Sequence, residues 1–375
     1  TWLPKVSLAL KTLILFSIST QLGQHFWPDS AFIRGIRLDY LSPTLYLTDI
    51  FLLYYFITNN GFNFKSLRPF LVLALTSLVF SVAPLQASIW WLRFLLLVYW
   101  VSQLSLPWLK SMLKPLLIWM LFLFGIGFAQ VLLGHSLNGI FYWLGERRLN
   151  LGTPGLALQT IFGAEHLRAY SIFSHPNIFA GWSVLMSAVV ALTTSSLTPL
   201  FFLVSLAITL LAASRTATLG LFVVTATRLP HKLSLLVVFC LALYYLMCSR
   251  PESVLVPRLD LLKTSLSLIG ASPLFGYGVL GSFPSALSLQ PDHFTPTLLI
   301  SWVGFVGIIQ LLLMIYSLQR KLVFNPILFA LLPLLIFDHY LLTSYAGLAG
   351  FIILLRFAII KKYANYSSCR RRRSR

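Results

Sequence analysis

Long uncharged apolar blocks, repeated along almost the whole chain, constrain this sequence more than any motif in it. A helix needs about 20 predominantly apolar residues to cross the hydrocarbon of a bilayer, and about twelve blocks approach or reach that length. They lie near Val6–Leu22, Leu41–Thr58, Pro69–Ala83, Ala87–Leu104, Pro115–Leu133 and Ile178–Thr194. Six more lie near Leu197–Ala212, Thr216–Thr227, Leu233–Cys248, Thr297–Leu318, Pro326–Phe337 and Tyr345–Ile360. With 58% hydrophobic and only 10% charged residues, a water-soluble globule built from this chain would expose far too much apolar surface. A soluble enzyme, a disordered chain and a disulfide scaffold are therefore excluded. The expected fold is an all-α polytopic integral membrane protein with about 12 transmembrane helices. It forms a single transmembrane domain over residues 1–366, followed by a basic tail over 367–375. Nothing resembles a cleavable signal peptide, and the first residue is threonine, as in a processed or trimmed start.

The charges orient the spans. With the N-terminus inside and the spans alternating, the inner segments hold Lys5, Lys65, Arg68, Lys110, Lys114, Arg228, Lys232, Arg320, Lys321, Lys361, Lys362 and the arginines of the tail. All nine acids fall on the outer side or at outer helix ends. That lysine and arginine bias is the positive-inside signal, and it predicts cytoplasmic N- and C-termini. It also explains the net charge of +19 without nucleic acid, because the Arg370–Arg373 run sits beside anionic headgroups. Cys240 and Cys248 share one expected span and Cys369 lies in the tail, a spacing that suits neither disulfides nor a metal site.

Two outer segments, about 134–177 and 249–296, are longer than a connection requires, and long loops in compact domains are usually functional or disordered. Both are expected to fold against the bilayer and to carry interfacial helices. In the second, Pro257 opens a stretch whose Leu259, Leu262, Leu266 and Ile269 share one helical face, with Asp260, Lys263, Thr264 and Ser267 on the other. By helical angle Arg258 falls on the apolar side, where a cation requires an anionic partner.

Few ionisable groups lie at the outer side. They are Arg168, His175, Arg215, Arg258, His293, Asp338 and His339, with Arg93 inside a span. An arginine at the edge of hydrocarbon costs about 2.5–3.5 kcal/mol on insertion scales, and guanidinium forks match phosphate oxygens. A lipid diphosphate entering from the membrane is the natural anion. Each residue also has a plainer reading. Arg215 reads equally as a snorkelling helix-end arginine, Arg93 as a donor to neighbouring carbonyls, and His175, before Pro176-Asn177, as a cap for the next span. His293 reads also as a neutral surface imidazole, and Asp338-His339 as two separate polar contacts at a helix end.

The arrangement resembles the O-antigen ligase and polymerase family, polytopic glycosyltransferases of the bacterial cytoplasmic (inner) membrane. Arg168-Ala-Tyr-Ser-Ile-Phe-Ser-His175-Pro176-Asn177 is similar to the family's Arg…Gly-x-Phe-x-His-Pro-Asn signature, and Ser214-Arg215-Thr216 to its Ser-Arg-(Gly/Thr) signature. Arg258 followed by Ser272-Pro273-Leu274-Phe275-Gly276-Tyr277-Gly278 resembles its arginine-bearing helix and glycine-rich turn. His293 precedes Gly304-Phe-Val-Gly307 as the family's loop histidine precedes Gly-x-x-Gly. Phe294 and Trp302 stand where the family commonly has Asn and Glu.

The resemblance implies transfer of a glycan from a polyprenyl-diphosphate carrier to an acceptor hydroxyl on the outer face of the membrane. It assigns His293 as general base and Arg215 and Arg258 to the diphosphate, with Arg168 and Arg93 as further candidates and His175, Asn177, Asp338 and His339 as possible participants. No cofactor is implied. No Asp-x-Asp stands in the sequence, and transfer without a metal is expected. A polymerase or a protein-directed transferase of the same family remains open. So does a lipid-linked oligosaccharide transporter or flippase, although a transporter should carry mid-membrane ionisable groups in broken helices and repeat symmetry.

Overall fold

A computed structural model describes residues 3–59, 64–153, 155–161, 163–193, 195–228, 248–249, 255–319 and 326–373. It is mostly helical. The helices are α1 (Leu3–Ser17), α2 (Leu47–Thr58), α3 (Phe64–Val79), α4 (Pro84–Ser102), α5 (Leu106–Leu133), α6 (Pro176–Ala191), α7 (Thr198–Leu211) and α8 (Arg215–Arg228). They continue with α9 (Leu255–Ala271), α10 (Ser282–Ala286), α11 (Thr295–Gln319), α12 (Leu331–Phe337), α13 (Tyr340–Thr343) and α14 (Tyr345–Arg373). A helix lies at each expected apolar block that the structure describes, while the block at Leu233–Cys248 falls outside the described residues except at its last position. Among the described residues, Pro84–Ser102, Leu106–Leu133 and Thr295–Tyr316 are long and apolar enough to cross a membrane, and the other apolar helices are shorter. Ile57, Leu75, Ile118, Leu132 and Leu313 are each more than 60% exposed, as side chains facing lipid tails would be.

The centre of the bundle is α6. All sixteen of its residues are buried, which a chargeless sequence allows, its few polar side chains being hydrogen-bonded inside the protein. The Ser187 and Ser205 hydroxyls share a 2.7 Å hydrogen bond, and Ser205 also donates to the Ser183 carbonyl at 2.9 Å, stitching α6 to α7. Gly181 admits the Tyr340 phenol at a point where any Cβ would collide with it. Thus α6 carries the first turn of the Asp338-to-Tyr345 region against its own N-terminal half.

One apolar helix is broken. Gly304, within α11, has φ 63° and ψ −178°, a conformation essentially reserved for glycine. The backbone groups released there pair with the glycine-rich turn after α9. Phe305 and Val306 N–H donate to the Pro273 and Leu274 carbonyls at 2.9 and 3.0 Å, and Tyr277 N–H donates to Ser301 O at 2.9 Å. Gly276 (φ 65°) has backbone atoms of Ser301 and Trp302 where a Cβ would stand, at 2.6 and 2.7 Å. The same turn reaches the α3–α4 connection, where Val82 N–H donates to Tyr277 O at 3.0 Å and the Phe80 and Phe275 rings stack at 3.9 Å. These contacts fasten α9, which bears Arg258, to α11, which His293 precedes.

Two expectations change. The first apolar block ends at Ser17 and the second begins at Leu47, so residues 18–46 form a third long connection. It is folded as two antiparallel strand pairs, β1 (Gly23–His25) with β4 (Thr44–Tyr46) and β2 (Phe32–Ile33) with β3 (Ile36–Arg37). The 134–177 segment carries a 3-10 turn at Gly139–Leu144 and a hairpin of β5 (Leu158–Ile161) with β6 (Ala164–Leu167) rather than an interfacial α-helix. Strand β7 (Cys248–Ser249) pairs with β5 and joins the two long loops. Because α9 packs along α11, its inward stripe runs through Arg258, Leu261, Leu262, Ser265 and Leu268, and Leu259 and Leu266 of the expected interfacial face stay outside.

Replacing Gly304 by Ala places a methyl against the Leu274 carbonyl and forces a disfavoured φ, at a cost on the order of 1–3 kcal/mol. Thermal unfolding in detergent should show a clear loss for Gly304→Ala, and none comparable for Gly125→Ala, whose Cβ meets nothing within 4 Å.

Candidate functional site

At one end of the bundle the chain gathers its buried polar side chains. His293 stands just ahead of α11, presented by Asp292, whose carboxylate accepts from Phe294 N–H at 2.9 Å and from the Thr297 hydroxyl. This is the usual start of a helix, a carboxylate satisfying orphan donors of the first turn. The Thr295 hydroxyl then donates to the Asp338 carbonyl at 2.6 Å, which ties the start of α11 to the break between α12 and α13. Trp90 on α4 holds that break from the other side, its indole N–H donating to Leu342 O at 2.9 Å.

The result is a cluster of His293, Asp338 and His339, one ligand-type atom of each lying within 4.8 Å of the others. The two imidazoles are 5.0 Å apart, centre to centre, and tilted by 52°. Adjacent residues on a regular helix diverge, but Asp338 and His339 sit where the helix is interrupted, and both converge on His293. His339 Nδ1 is 2.7 Å from the Thr343 hydroxyl, and His293 Nδ1 is buried without a hydrogen-bond partner. Tyr40, from the folded first connection, stacks on Phe283 at 5.3 Å and presents its edge to His339 at 5.9 Å.

A chain of buried bonds supports this cluster. Asn177 Nδ2 donates to Asp338 Oδ2 at 2.8 Å, and Arg168 donates to Asn177 Oδ1 at 2.6 Å. Arg168 also donates through Nε to Ala212 O at 2.7 Å, and to Ala213 O at 3.4 Å. Here Arg168 is a buried strut between the hairpin, the head of α6 and the α7–α8 turn, its Nε and Nη2 donating to protein acceptors. His175 caps α6 by accepting from Asn177 N–H at 3.1 Å, as its plainer reading held, and its charge is also felt by His339.

Electrostatics keep both imidazoles of the cluster uncharged and raise the affinity of its carboxylate for a proton. Burial, then the nearby Arg258 guanidinium, push His293 down to about 4. His339 is held well below the ordinary histidine range by burial, then by His293, His175 and Arg258. Burial pushes Asp338 up to about 6, against the opposing pull of Arg258, Asn177, the His339 backbone and Arg168. Half-buried Arg258 thus acts on all three groups, and among the described residues no hydrogen bond or ion pair occupies it.

The other arginines sit elsewhere. Arg93 is engaged within the protein. Its guanidinium grips Asp49 through two bonds of 2.9 and 2.7 Å, donates to Thr44 O at 2.9 Å, and lies over the Tyr46 and Tyr345 rings at 5.0 and 4.8 Å. It pins the first outer connection to α4, with Nε and Nη2 both committed to protein acceptors. Arg215 is exposed at the head of α8, two residues beyond the carbonyl of Ala213 that Arg168 engages. It is not among the charges acting on His293, Asp338 or His339. A hollow of about 10 Å³ lies between α9 and the Ser282–Asp292 stretch, room for about one water.

Local sequence carried no sign of Tyr40 or Thr343 as neighbours of His339, nor of Trp90 as a prop. Their partners are distant in sequence or, for Thr343, one turn away in a short helix that begins only after the break. No protein-family model matches the chain, and no curated protein is significantly similar to it.

Two outcomes follow. Asn177→Ala leaves both Arg168 and Asp338 short of a buried partner and should cost about 1–3 kcal/mol or more in thermal unfolding, more than Asn177→Asp costs at low pH, where the acid can still bridge. His293 and His339 ionise less readily folded than unfolded, so they withdraw stability as pH falls below about 6.5, and for His293 until about 4. Asp338 acts in the opposite sense between 3.8 and about 6. His293→Gln should therefore lose less stability than wild type between pH 7 and pH 4.5, read as the change in unfolding temperature.

Proposed function

We propose that this chain is a multi-pass membrane glycosyltransferase of the O-antigen ligase type. In this reading about twelve spans place the His293 cluster at the outer face of the bacterial cytoplasmic membrane, with both termini inside. The observation that carries it is the pairing of a neutral, partner-seeking imidazole, His293, with an arginine, Arg258, that no protein anion claims among the described residues. Base and cation are what glycan transfer from a lipid diphosphate requires.

The donor's polyprenyl tail stays in the bilayer and its diphosphate lies against Arg258. The acceptor oxygen bonds to the anomeric carbon, and the bond from that carbon to the diphosphate oxygen breaks. His293 takes the hydroxyl proton, and the bonding electrons leave on polyprenyl diphosphate. His293 is free to accept a proton because burial and Arg258 keep it unprotonated. A diphosphate seated on Arg258 offsets that cation and raises the imidazole's affinity for a proton, so the base strengthens when the donor is bound. Arg258 then stabilises the charge that grows on the leaving oxygens. Arg168, Asn177 and Asp338 position the cluster rather than touch the donor.

The test is incubation of the purified protein with a labelled polyprenyl-diphosphate glycan and hydroxyl-bearing acceptors. Single transfer identifies a ligase and chain growth a polymerase. Movement of the lipid across the membrane without transfer identifies a flippase and overturns the reading. His293→Ala should lower transfer about 10²–10⁴-fold, and Arg258→Ala by about 10²–10³-fold, in protein that still folds. Unchanged transfer in both variants would contradict the assigned roles.

A further inference from the structure

We propose that His293, Asp338 and His339 form a binding site for a divalent transition-metal ion of the zinc class, and that its occupancy switches transfer off. The second half rests on the reading of His293 as base; the first does not.

Three ligand-type atoms, two imidazole nitrogens and one carboxylate oxygen, already lie within 4.8 Å of one another. A zinc-type ion bound at about 2.0–2.2 Å needs them roughly 3.3 Å apart, so closure requires a contraction of about 1–1.5 Å, within reach of side-chain rotation. Two of the three are already oriented by further bonds. Thr343 holds His339 Nδ1 at 2.7 Å, which leaves Nε2 for the ion, and Asn177 holds Asp338 Oδ2 at 2.8 Å. Such outer bonds fix ligand orientation in metal sites, and their loss typically weakens affinity 10–100-fold. The third member supplies an independent sign of an unmet need. His293 Nδ1 is buried and has no hydrogen-bond partner, although buried polar atoms are nearly always satisfied. Both imidazoles are kept in the unprotonated form that binds metal.

The donor set selects the ion. Magnesium and calcium favour all-oxygen shells, whereas two imidazoles and a carboxylate suit zinc, cobalt or nickel. Three protein ligands leave a fourth position for water. Arg258 opposes the ion, since its charge reaches all three ligands. The site is therefore weaker than a structural zinc site, and its occupancy depends on the ion's concentration. An ion here takes a lone pair of His293 and draws the imidazole onto the metal. The base then cannot accept the acceptor's proton, and a second positive charge stands beside Arg258.

The experiment uses full-length protein purified without a histidine tag, stripped with a chelator and titrated with Co²⁺. The readout is the visible absorption of cobalt in a tetrahedral site, followed by displacement with Zn²⁺. One equivalent should bind. His293→Gln and Asp338→Asn should each weaken binding at least about tenfold, while Arg258→Gln should tighten it because a repelling charge is gone. Circular dichroism checks that each variant folds, and Arg258→Gln decides the matter if the others do not. Absence of saturable binding, binding indifferent to His293→Gln, or weakening by Arg258→Gln overturns the site. In the transfer assay, Zn²⁺ should inhibit and chelator should restore the rate; stimulation, or no effect at full occupancy, overturns the switch. Cobalt binding in a protein that transfers no glycan sinks the glycosyltransferase reading and leaves the site standing. Transfer without cobalt binding does the reverse.

Discussion

A buried carboxylate cannot stand alone in a membrane protein, and here the partners of Asp338 decide where everything else at this end of the molecule lies. Its side chain takes the Asn177 amide, and Asn177 takes Arg168. Arg168 in turn closes on carbonyls of the α7–α8 turn. One line of bonds therefore locks the hairpin, the first turn of α6, the head of α8 and the break before α13. Breaking any link strands a charge or an amide away from water, which is far costlier than the net value of the bond itself. The Thr295 hydroxyl, bound to the Asp338 carbonyl, adds the start of α11 to the same frame.

The second constraint is backbone rather than charge. Lipid cannot hydrogen-bond the peptide groups that a helix break releases, so the break at Gly304 has to be paired by protein. The glycine-rich turn after α9 does this with its own peptide groups. Because that turn follows the helix bearing Arg258, and Gly304 follows His293 by less than one span, the pairing fixes His293 and Arg258 relative to each other. The glycines of these two motifs thus act as spacers. They touch nothing chemical, yet they set the distance on which the proposed chemistry depends.

Sequence made the helices legible because lipid imposes a length and a composition that can be counted. It also marked Arg258 as misplaced on an apolar face, and it singled out His293, Asp338 and His339. What stayed illegible was pairing across the chain. Arg93 meets Asp49 from 44 residues away and Asn177 meets Asp338 from 161 residues away, and no local pattern announces either. For that reason Arg168 and Arg93 read as ligands for an anion, whereas the structure spends both on the protein itself. The folded segment over residues 18–46 was hidden for a related reason. Its short strands interrupt apolar sequence that, taken linearly, extends the neighbouring spans at both ends, so Tyr40 was not seen as a neighbour of His339.

The proposed chemistry needs a lipid-borne diphosphate against Arg258 on α9, near His293 ahead of α11. Photo-crosslinking with a diazirine-bearing polyprenyl-diphosphate sugar tests it most directly, with labelled peptides mapped by mass spectrometry. The account predicts label concentrated on peptides containing Arg258 and His293 and suppressed by excess unlabelled donor. Label spread over the lipid-facing leucines of α5 and α11, indifferent to competitor, would contradict it.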